Sequence, residues 1–449
     1  MKYMKSAFLA GSVVVIAGAL FLGGWYFLFP AGKMVIVDGA GVIGLTHKSK
    51  SKEELIAEAL EKSSNIKALY MTADVAWDNG AGATRMRNNL VRIADETEIN
   101  GFVIDVKEAC GEDYNEERVK KFLGELHAKN IWAVARIVAF SDSSRIDVNT
   151  EWYLTRKAYK AVGASCTNKK YLRLKNSDGS KPDVIFWQDK AGRYWIDPVN
   201  QGARDYILRF SKKMIDLGFD ELQYDYIRFP SDGDIQNAIY PSWDGKTSKC
   251  SVMGDFFRFL SRSLREHKPN IMLSADLFGY ASVGLDTGIG QCIETLEDSF
   301  DYISFMVYPS HYYSGFSIPQ DPYRILPAVN YTVNQARQNP QVIVGRSMLF
   351  ARDFFDGKIS TDKYPFSYIT SSSTATSTPS AAPVFTPRSR ARLRPWLEDF
   401  FHDYDKEAGR PYGIEKVRLE IDATENTENH GWMLWNAGNV YTEGALKKE

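Results

Sequence analysis

Strand-like and helix-like segments alternate along residues 65–441 of this 449-residue chain. Eight short apolar runs suit β-strands and cover residues 68–72, 101–107, 131–140, 221–229, 271–278, 302–308, 392–400 and 431–436. Repeated alternation of this kind is typical of parallel strands joined by helices. At this length it predicts an α/β chain folded as a closed (β/α)8 TIM barrel, with an open doubly wound sheet as the alternative.

Amphipathic stretches lie between these strands. Apolar residues at helical spacing predict helices over residues 84–98, 115–129, 202–217, 252–267, 321–338 and 410–423. A further helix over residues 51–62 precedes the first strand, with Ser51 as its cap and Glu54 three residues on. Residues 31–64 are therefore interpreted as a linker with a short helix.

Two long insertions interrupt the predicted barrel. Residues 141–197 follow the third strand, so we expect this aromatic-rich loop on the catalytic face. Residues 342–390 precede the seventh strand, so we expect them on the opposite face, without a catalytic role. Residues 342–349 could instead be a strand of their own. Residues 370–387 are low in complexity and predict a flexible loop.

The amino-terminal segment predicts a membrane anchor. Residues 6–29 carry no charge and would span roughly 36 Å as a helix, enough to cross a hydrocarbon core. Lys2 and Lys5 precede this run and predict a cytoplasmic tip. We therefore expect residues 1–30 to form the tip and a single-pass signal anchor in the cell membrane, with the barrel extracytoplasmic. A cleaved signal peptide is the alternative.

Composition excludes several classes of function. The formal net charge of −1 gives no electrostatic case for nucleic-acid binding. Histidines are scattered and cysteines are widely spaced, so we predict neither a metal site nor a cofactor. Disulfide pairing stays open among Cys110, Cys166, Cys250 and Cys292. The GxGxxG pattern of Gly39, Gly41 and Gly44 precedes polar, basic residues, so it is weak support for a nucleotide-dependent enzyme.

Acidic residues fall at the carboxyl ends of several predicted strands, where a barrel carries its chemistry. Alternation of side chains along each strand predicts a mouth that holds Asp105, Lys107, Asp225, Asp276, Tyr308 and Trp435. Two carboxyl groups at such a mouth are the minimum for glycoside hydrolysis. Tryptophans near strand ends and in the catalytic-face loops would stack on sugar rings, although each alone could be a core aromatic: Trp77, Trp187, Trp195, Trp243, Trp396, Trp432 and Trp435.

Residues 223–230 (QYDYIRFP) resemble the fourth-strand signature of a bacterial family of inferred glycoside hydrolases with a TIM-barrel catalytic domain. The resemblance continues through residues 101–111, 135–142, 195–207, 217–222, 274–280, 303–312, 393–400 and 431–441. It implies a barrel that acts on an extracellular polysaccharide or oligosaccharide. Substrate and linkage do not carry over.

The resemblance implies that Asp225 is the nucleophile or base and Asp276 the proton donor. Many related barrels have Glu as the donor, so Asp276 leaves retention or inversion open. Glu398 stands where the family motif suggests Gln. Arg228 is expected to orient Asp225 or a substrate. The full set of expected substrate contacts is Asp105, Lys107, Arg136, Arg228, Tyr308, Trp396, Glu398 and Trp435.

Two other functions compete with hydrolysis. A catalytically silent carbohydrate-binding barrel of the cell envelope would need the aromatic residues but not the acids. A polysaccharide deacetylase would need clustered His and Asp at a metal site, which the sequence lacks.

Overall fold

The computed structural model describes residues 50–156, 185–296, 298–370, 385–402, 412–428 and 430–448, and the backbone of residues 25–29, 33–38 and 41–45. The chain consists of two compact units, residues 1–55 and residues 56–449.

The first unit contains a three-stranded antiparallel sheet. Its strands β1 (Trp25–Phe29), β2 (Lys33–Asp38) and β3 (Gly41–Leu45) follow one another as a meander. The predicted membrane helix lies outside the described residues except for residues 25–29, which form a strand instead. In the part of the chain that the structure describes, no helix is long and apolar enough to cross a membrane. The last two glycines of the GxGxxG pattern, Gly41 and Gly44, lie in the antiparallel strand β3. A dinucleotide site would instead place this pattern between a strand and a helix.

The second unit is a closed parallel barrel, as predicted. Each barrel strand pairs with its neighbours in chain order, and the last pairs with the first. The barrel strands are β4 (Ile66–Met71), β5 (Gly101–Glu108), β7 (Trp132–Val138), β8 (Glu221–Asp225), β9 (Met272–Phe278), β10 (Tyr302–Met306), β15 (Arg392–Leu393) with β16 (Trp396–Glu398), and β17 (Gly431–Trp435). The seventh strand has two pieces because Pro395 interrupts it and has no N–H for the ladder.

Helices cover the outside of the strands. They are α1 (Lys52–Lys62), α2 (Ala73–Trp77), α3 (Ala81–Glu96), α4 (Glu116–Ala128), α5 (Gln201–Leu217), α6 (Lys249–His267), α7 (Val333–Gln338), α8 (Pro340–Phe355) and α9 (Ile414–Thr427). The predicted cap of α1 is confirmed, since Ser51 Oγ accepts from Glu54 N and Glu54 accepts from Ser51 N. Short pairs complete the fold: β6 (Gly111–Glu112), β11 (Phe316–Ile318), β12 (Val329–Tyr331), β13 (Ile359–Ser360) and β14 (Ser367–Tyr368).

The sixth helix was wrongly placed by the sequence pattern. Most of residues 321–338 lies outside helices, with β12 inside that range and α7 only at its end. Residues 342–349, suggested above as a strand, lie inside α8, which begins at Pro340. The β-branched start of this stretch suits a strand, but its buried residues, among them Val344, Met348 and Ala351, recur at helical spacing and pack in the core.

The amino end of the barrel interior is closed by a buried ion pair. Arg394 Nη1 donates to both carboxylate oxygens of Glu221, at 3.0 and 2.8 Å, and both side chains are inaccessible to solvent. Trp132 Nε1 also donates to Glu221, at 3.1 Å. One level further along the barrel, Gln223 donates to Ser304 Oγ at 3.2 Å. These layers fill the interior and leave the carboxyl end of the strands for the site.

Candidate active site

Arg136 on β7 gathers three carboxylates at the carboxyl end of the barrel. Its Nη1 donates to Asp105 Oδ1 at 2.6 Å, its Nη2 donates to Asp225 Oδ2, and its Nε lies 3.9 Å from Asp276 Oδ2. These residues come from four adjacent strands, β5, β7, β8 and β9. Burial acts to lower the pKa of Arg136, but the carboxylates of Asp105 and Asp225 outweigh it and raise this pKa well above its ordinary value. Arg136 is therefore a permanent cation at the centre of the site.

Asp225 ends β8, the strand whose sequence signals the family resemblance. Its Oδ1 accepts from the backbone N–H of Tyr226 at 2.6 Å, and its Oδ2 accepts from Arg136. Tyr226 has a φ of 50°, in the left-handed region that side chains with a Cβ seldom adopt. Backbone strain of this kind concentrates at functional sites. Two donors thus hold the Asp225 side chain in one orientation.

Asp276 on β9 is more deeply buried, with 1% of its surface exposed. Its Oδ1 accepts from the Trp396 indole Nε1 at 2.7 Å. Its Oδ2 has no hydrogen-bond partner among the described residues. Burial, followed by repulsion from Asp225, raises the pKa of Asp276 well above its ordinary value. The two acids are thereby differentiated, since Asp276 favours its protonated form while Asp225 is bound by donors.

Asp105 is fully buried and holds Arg136 in place. Besides accepting from Arg136, it accepts a short hydrogen bond from the Tyr70 hydroxyl. The Glu108 carboxyl also hydrogen-bonds to Asp105, and burial together with this contact raises the pKa of Glu108 to about 8. Sequence reasoning missed Tyr70 and Glu108. Tyr70 looked like a core aromatic, and nothing in the pattern pointed to Glu108.

Lys107 does not join the mouth. A β-bulge between Asp105 and Lys107 shifts the register of β5 against β7 and reverses the alternation that the sequence suggested. Lys107 Nζ instead donates to Val138 O at 2.6 Å and pairs with Asp142 Oδ2 at 2.7 Å, with both side chains fully buried. The same bulge brings the side chain of Glu108 to Asp105.

Arg228 lies in an aromatic cage. Its guanidinium carbon is 5.0 Å from the rings of Trp195 and Tyr226 and 4.6 Å from that of Phe278. Its Nη1 donates to Phe229 O at 3.0 Å. Burial lowers the pKa of Arg228. These contacts fix Arg228 at the turn after β8, and its expected role toward Asp225 or a substrate stays a prediction.

Aromatic rings line the other side of the mouth. Trp435 is half-buried and stacks on Tyr70 at 5.9 Å between ring centroids. Tyr308 lies 6.2 Å from Trp435, and burial together with the nearby carboxylates Asp276 and Asp225 raises its pKa well above the ordinary value. Tyr308 and Trp396 are thus close to the acids, as expected. Trp435 packs against the ring of Tyr308.

Glu398 lies on the same side, at the end of β16. It is fully buried, accepts from Ser310 N at 3.1 Å and lies 3.4 Å from His402 Nε2. Most other tryptophans expected to stack on sugars are buried in the outer core instead: Trp77, Trp187, Trp195 and Trp432. Packing between strands and helices explains them, because an indole fills more volume than any other side chain.

One potential metal-ligand group occurs among the described residues, formed by Cys250, Asp286 and Cys292. Its two cysteines are joined to each other in a disulfide, so their sulfurs are committed to that bond. This disulfide links the start of α6 to the loop that follows β9.

A parallel (β/α)8 barrel with carboxyl groups and stacked aromatic rings at the carboxyl ends of its strands has the site architecture of a glycoside hydrolase. The family described as "Putative glycosyl hydrolase domain" matches residues 68–441. The chain belongs to this family and is thus a glycoside hydrolase whose substrate is not assigned.

Solved structures similar to this chain include other glycoside hydrolases. The glycoside hydrolase domain of PgaB (BpsB) from Bordetella bronchiseptica is 11% identical over 84% of this chain and 95% of its own, with a TM-score of 0.46. Amy13B of Eubacterium rectale is 10% identical over 83% and 66%, with a TM-score of 0.45. A hypothetical protein from Ruminiclostridium thermocellum is 25% identical over 46% and 96%, with a TM-score of 0.34. Comparison with curated proteins gives no match.

Proposed function

We propose that this enzyme cleaves O-glycosidic bonds of an extracytoplasmic polysaccharide with Asp276 as general acid and Asp225 as its carboxylate partner. Asp276 gives its proton to the glycosidic oxygen as the bond from that oxygen to the anomeric carbon breaks. Asp225 attacks the anomeric carbon or takes a proton from the attacking water. If Asp225 attacks, water then cleaves the glycosyl–Asp225 ester, supplies the hydroxyl of the new reducing end and gives its proton to Asp276. If Asp225 acts as the base, it holds the proton of the attacking water, and exchange with solvent returns Asp225 to its ionised form and Asp276 to its protonated form.

The observation that carries this proposal is the unequal environment of the two acids around Arg136. Asp225 accepts hydrogen bonds from two donors, one of them the Arg136 guanidinium. Asp276 is buried, and its Oδ2 is without a hydrogen bond among the described residues, so this oxygen is suited to present a proton to a substrate. Two carboxyl groups held in different environments can take different roles in one site.

The test uses the full chain against a panel of soluble polysaccharides, with reducing ends as the readout. Asp225→Asn and Asp276→Asn should each lower kcat by about 100-fold or more. Asp255→Asn is the matched control, because Asp255 lies exposed on α6, where it pairs with Arg258 three residues on. Hydrolysis that survives both active-site changes at the wild-type rate contradicts the roles assigned to these acids. Glycan binding without turnover would favour the carbohydrate-binding barrel.

The anomeric form of the first product distinguishes the two possible roles of Asp225. Proton NMR during early turnover would show the configuration of the new reducing end. A retained configuration assigns Asp225 as the nucleophile, and an inverted one assigns it as the base that activates water.

We further propose that the barrel faces an oxidising compartment. The Cys250–Cys292 disulfide supports this, because such bonds persist mainly outside the cytoplasm. Residues 6–24, which precede β1 in the sequence, contain no charged residue. As a helix these 19 residues would reach roughly 28 Å, about the thickness of a hydrocarbon core, which supports a membrane tether. Carbonate extraction of cell membranes and protease treatment of intact cells would test both points. Release by carbonate, or protection of the barrel in intact cells, would contradict them.

A further inference from the structure

A line of aromatic rings leads from the carboxylate site to the protein surface. Trp435 contacts Phe400 at 5.2 Å between centroids, with the ring planes at 90°. Phe400 contacts His311 at 5.7 Å, and His311 stacks on Tyr313 at 5.6 Å with an interplanar angle of 24°. We call these four residues, Trp435, Phe400, His311 and Tyr313, the aromatic ladder.

The ladder is continuous with the site at one end and open to solvent at the other. Trp435 stacks on Tyr70, whose hydroxyl donates to Asp105. Tyr313 is 68% exposed although its ring is held against His311. An exposed ring held in a fixed stack loses little conformational freedom when a flat ligand covers it. The exposed, stacked ring of Tyr313 is therefore suited to bind a ligand, whereas a ring that only filled the core would be buried.

The chemistry of the ladder suits a neutral sugar ring. Aromatic faces bind the apolar C–H face of a pyranose, and the tyrosine hydroxyl can hydrogen-bond at the edge. Burial lowers the pKa of His311 against the opposing effect of the Glu398 carboxylate, and His402 lowers it further, so the neutral ring is favoured. A cationic platform would instead favour an anionic ligand.

We propose that the ladder is a binding subsite for sugar units beyond the cleavage point, and that the substrate is therefore a chain of several neutral sugars. This inference rests on the proposed hydrolysis, since it takes the site around Asp276 as the cleavage point. Tyr313 would hold the outermost unit. The ladder thereby makes the enzyme favour chains over disaccharides.

The test measures binding against chain length. The full chain carrying Asp276→Asn, in which turnover should be slowed about 100-fold or more, is titrated calorimetrically with malto-, cello- and chito-oligosaccharides of two to six units. Affinity for at least one series should rise with length. Adding Tyr313→Ala should weaken binding of the hexamer about 3- to 10-fold, with a smaller loss for shorter chains. Tyr313→Phe keeps the ring and should retain most of the affinity.

Tyr364→Ala is the matched control, because Tyr364 is 59% exposed and its ring contacts Phe366 rather than the ladder. An equal loss at every length, no loss with Tyr313→Ala, or no binding of any series would overturn the subsite. If hydrolysis still depends on Asp225 and Asp276 in that case, only the ladder assignment fails. If hydrolysis is independent of both acids, the proposed function fails as well.

Discussion

The Trp396 indole donates its N–H to Asp276 Oδ1 at 2.7 Å, which joins the seventh barrel strand to the fifth across the interior. Both side chains are buried, and the bond favours the charged form of the acid, against burial and against Asp225. Trp396 therefore orients Asp276 and limits how far its pKa rises. Oδ1 is anchored in this way, whereas Oδ2 accepts no hydrogen bond among the described residues.

Replacing Trp396 by Phe should move the pH–rate profile. The ring is kept, but a donor that stabilises ionised Asp276 is lost, so the pKa of Asp276 rises further. We expect the alkaline limb of the kcat/KM profile to move to higher pH by on the order of one pH unit. The limb is measured between pH 5 and 10 and compared with that of Trp432→Phe, an indole buried in the outer core. An unmoved limb would show that Asp276 is not the titrating acid.

The need for Asp276 should depend on the leaving group. A dinitrophenyl glycoside leaves without protonation, so general acid catalysis contributes little to its departure. Asp276→Asn should therefore lose about 100-fold or more in kcat on the natural bond but much less on the aryl glycoside. Rates on both substrates are measured for the variant and for Asp255→Asn. An equal loss on both would assign Asp276 a role other than proton donation.

Arg136 should matter most when its carboxylate neighbours are charged. Arg136→Met leaves Asp105 and Asp225 without their shared cation, and removing one partner of a buried pair costs about 3–5 kcal/mol. Protonation of the carboxylates relieves this loss, so the variant should be less destabilised at pH 4 than at pH 8. Urea unfolding at both pH values measures the difference. Arg136→Lys keeps a charge and should lose less, and a pH-independent loss would argue against the charge network.

Glu108 should make the protein less stable as the pH rises. Its folded-state pKa of about 8 lies above its ordinary value of 4.5, so the folded protein binds the extra proton between these values. The contribution of Glu108 to the free energy of unfolding is therefore complete below about pH 4.5 and is lost as the pH rises to 8. Glu108→Gln should gain on the order of 1 kcal/mol over wild type between pH 5 and 9. Thermal unfolding at both pH values measures this, and Glu117→Gln on α4 is the control.

Reducing the Cys250–Cys292 disulfide should weaken the barrel. The bond closes a chain separation of 42 residues, and loops of that size restrict the unfolded state by about 3–4 kcal/mol. A Cys250→Ser, Cys292→Ser variant should show a correspondingly lower free energy of unfolding in urea. Its unfolding should also be less sensitive to dithiothreitol than that of wild type. Equal stability would mean that strain in the folded state offsets the entropy.

Several features were predictable from the sequence, because they depend on local periodicity. The eight barrel strands, the cap of α1 at Ser51 and the strand-end positions of Asp225 and Asp276 follow from apolar alternation and from where it stops. Parallel strands place their carboxyl ends at one mouth, so acids on different strands were expected to meet. The membrane anchor and the extracytoplasmic location remain predictions.

Other features depend on the tertiary structure, because backbone irregularities and packing have no local signature. A single bulge in β5 turns Lys107 outward to Asp142 and brings Glu108 to Asp105, and alternation cannot reveal it. The cage around Arg228 needs Trp195 and Phe278 from distant parts of the chain. Local periodicity thus determined the barrel and its acids, whereas long-range packing decided which charged groups share the mouth and how deeply each of them is buried.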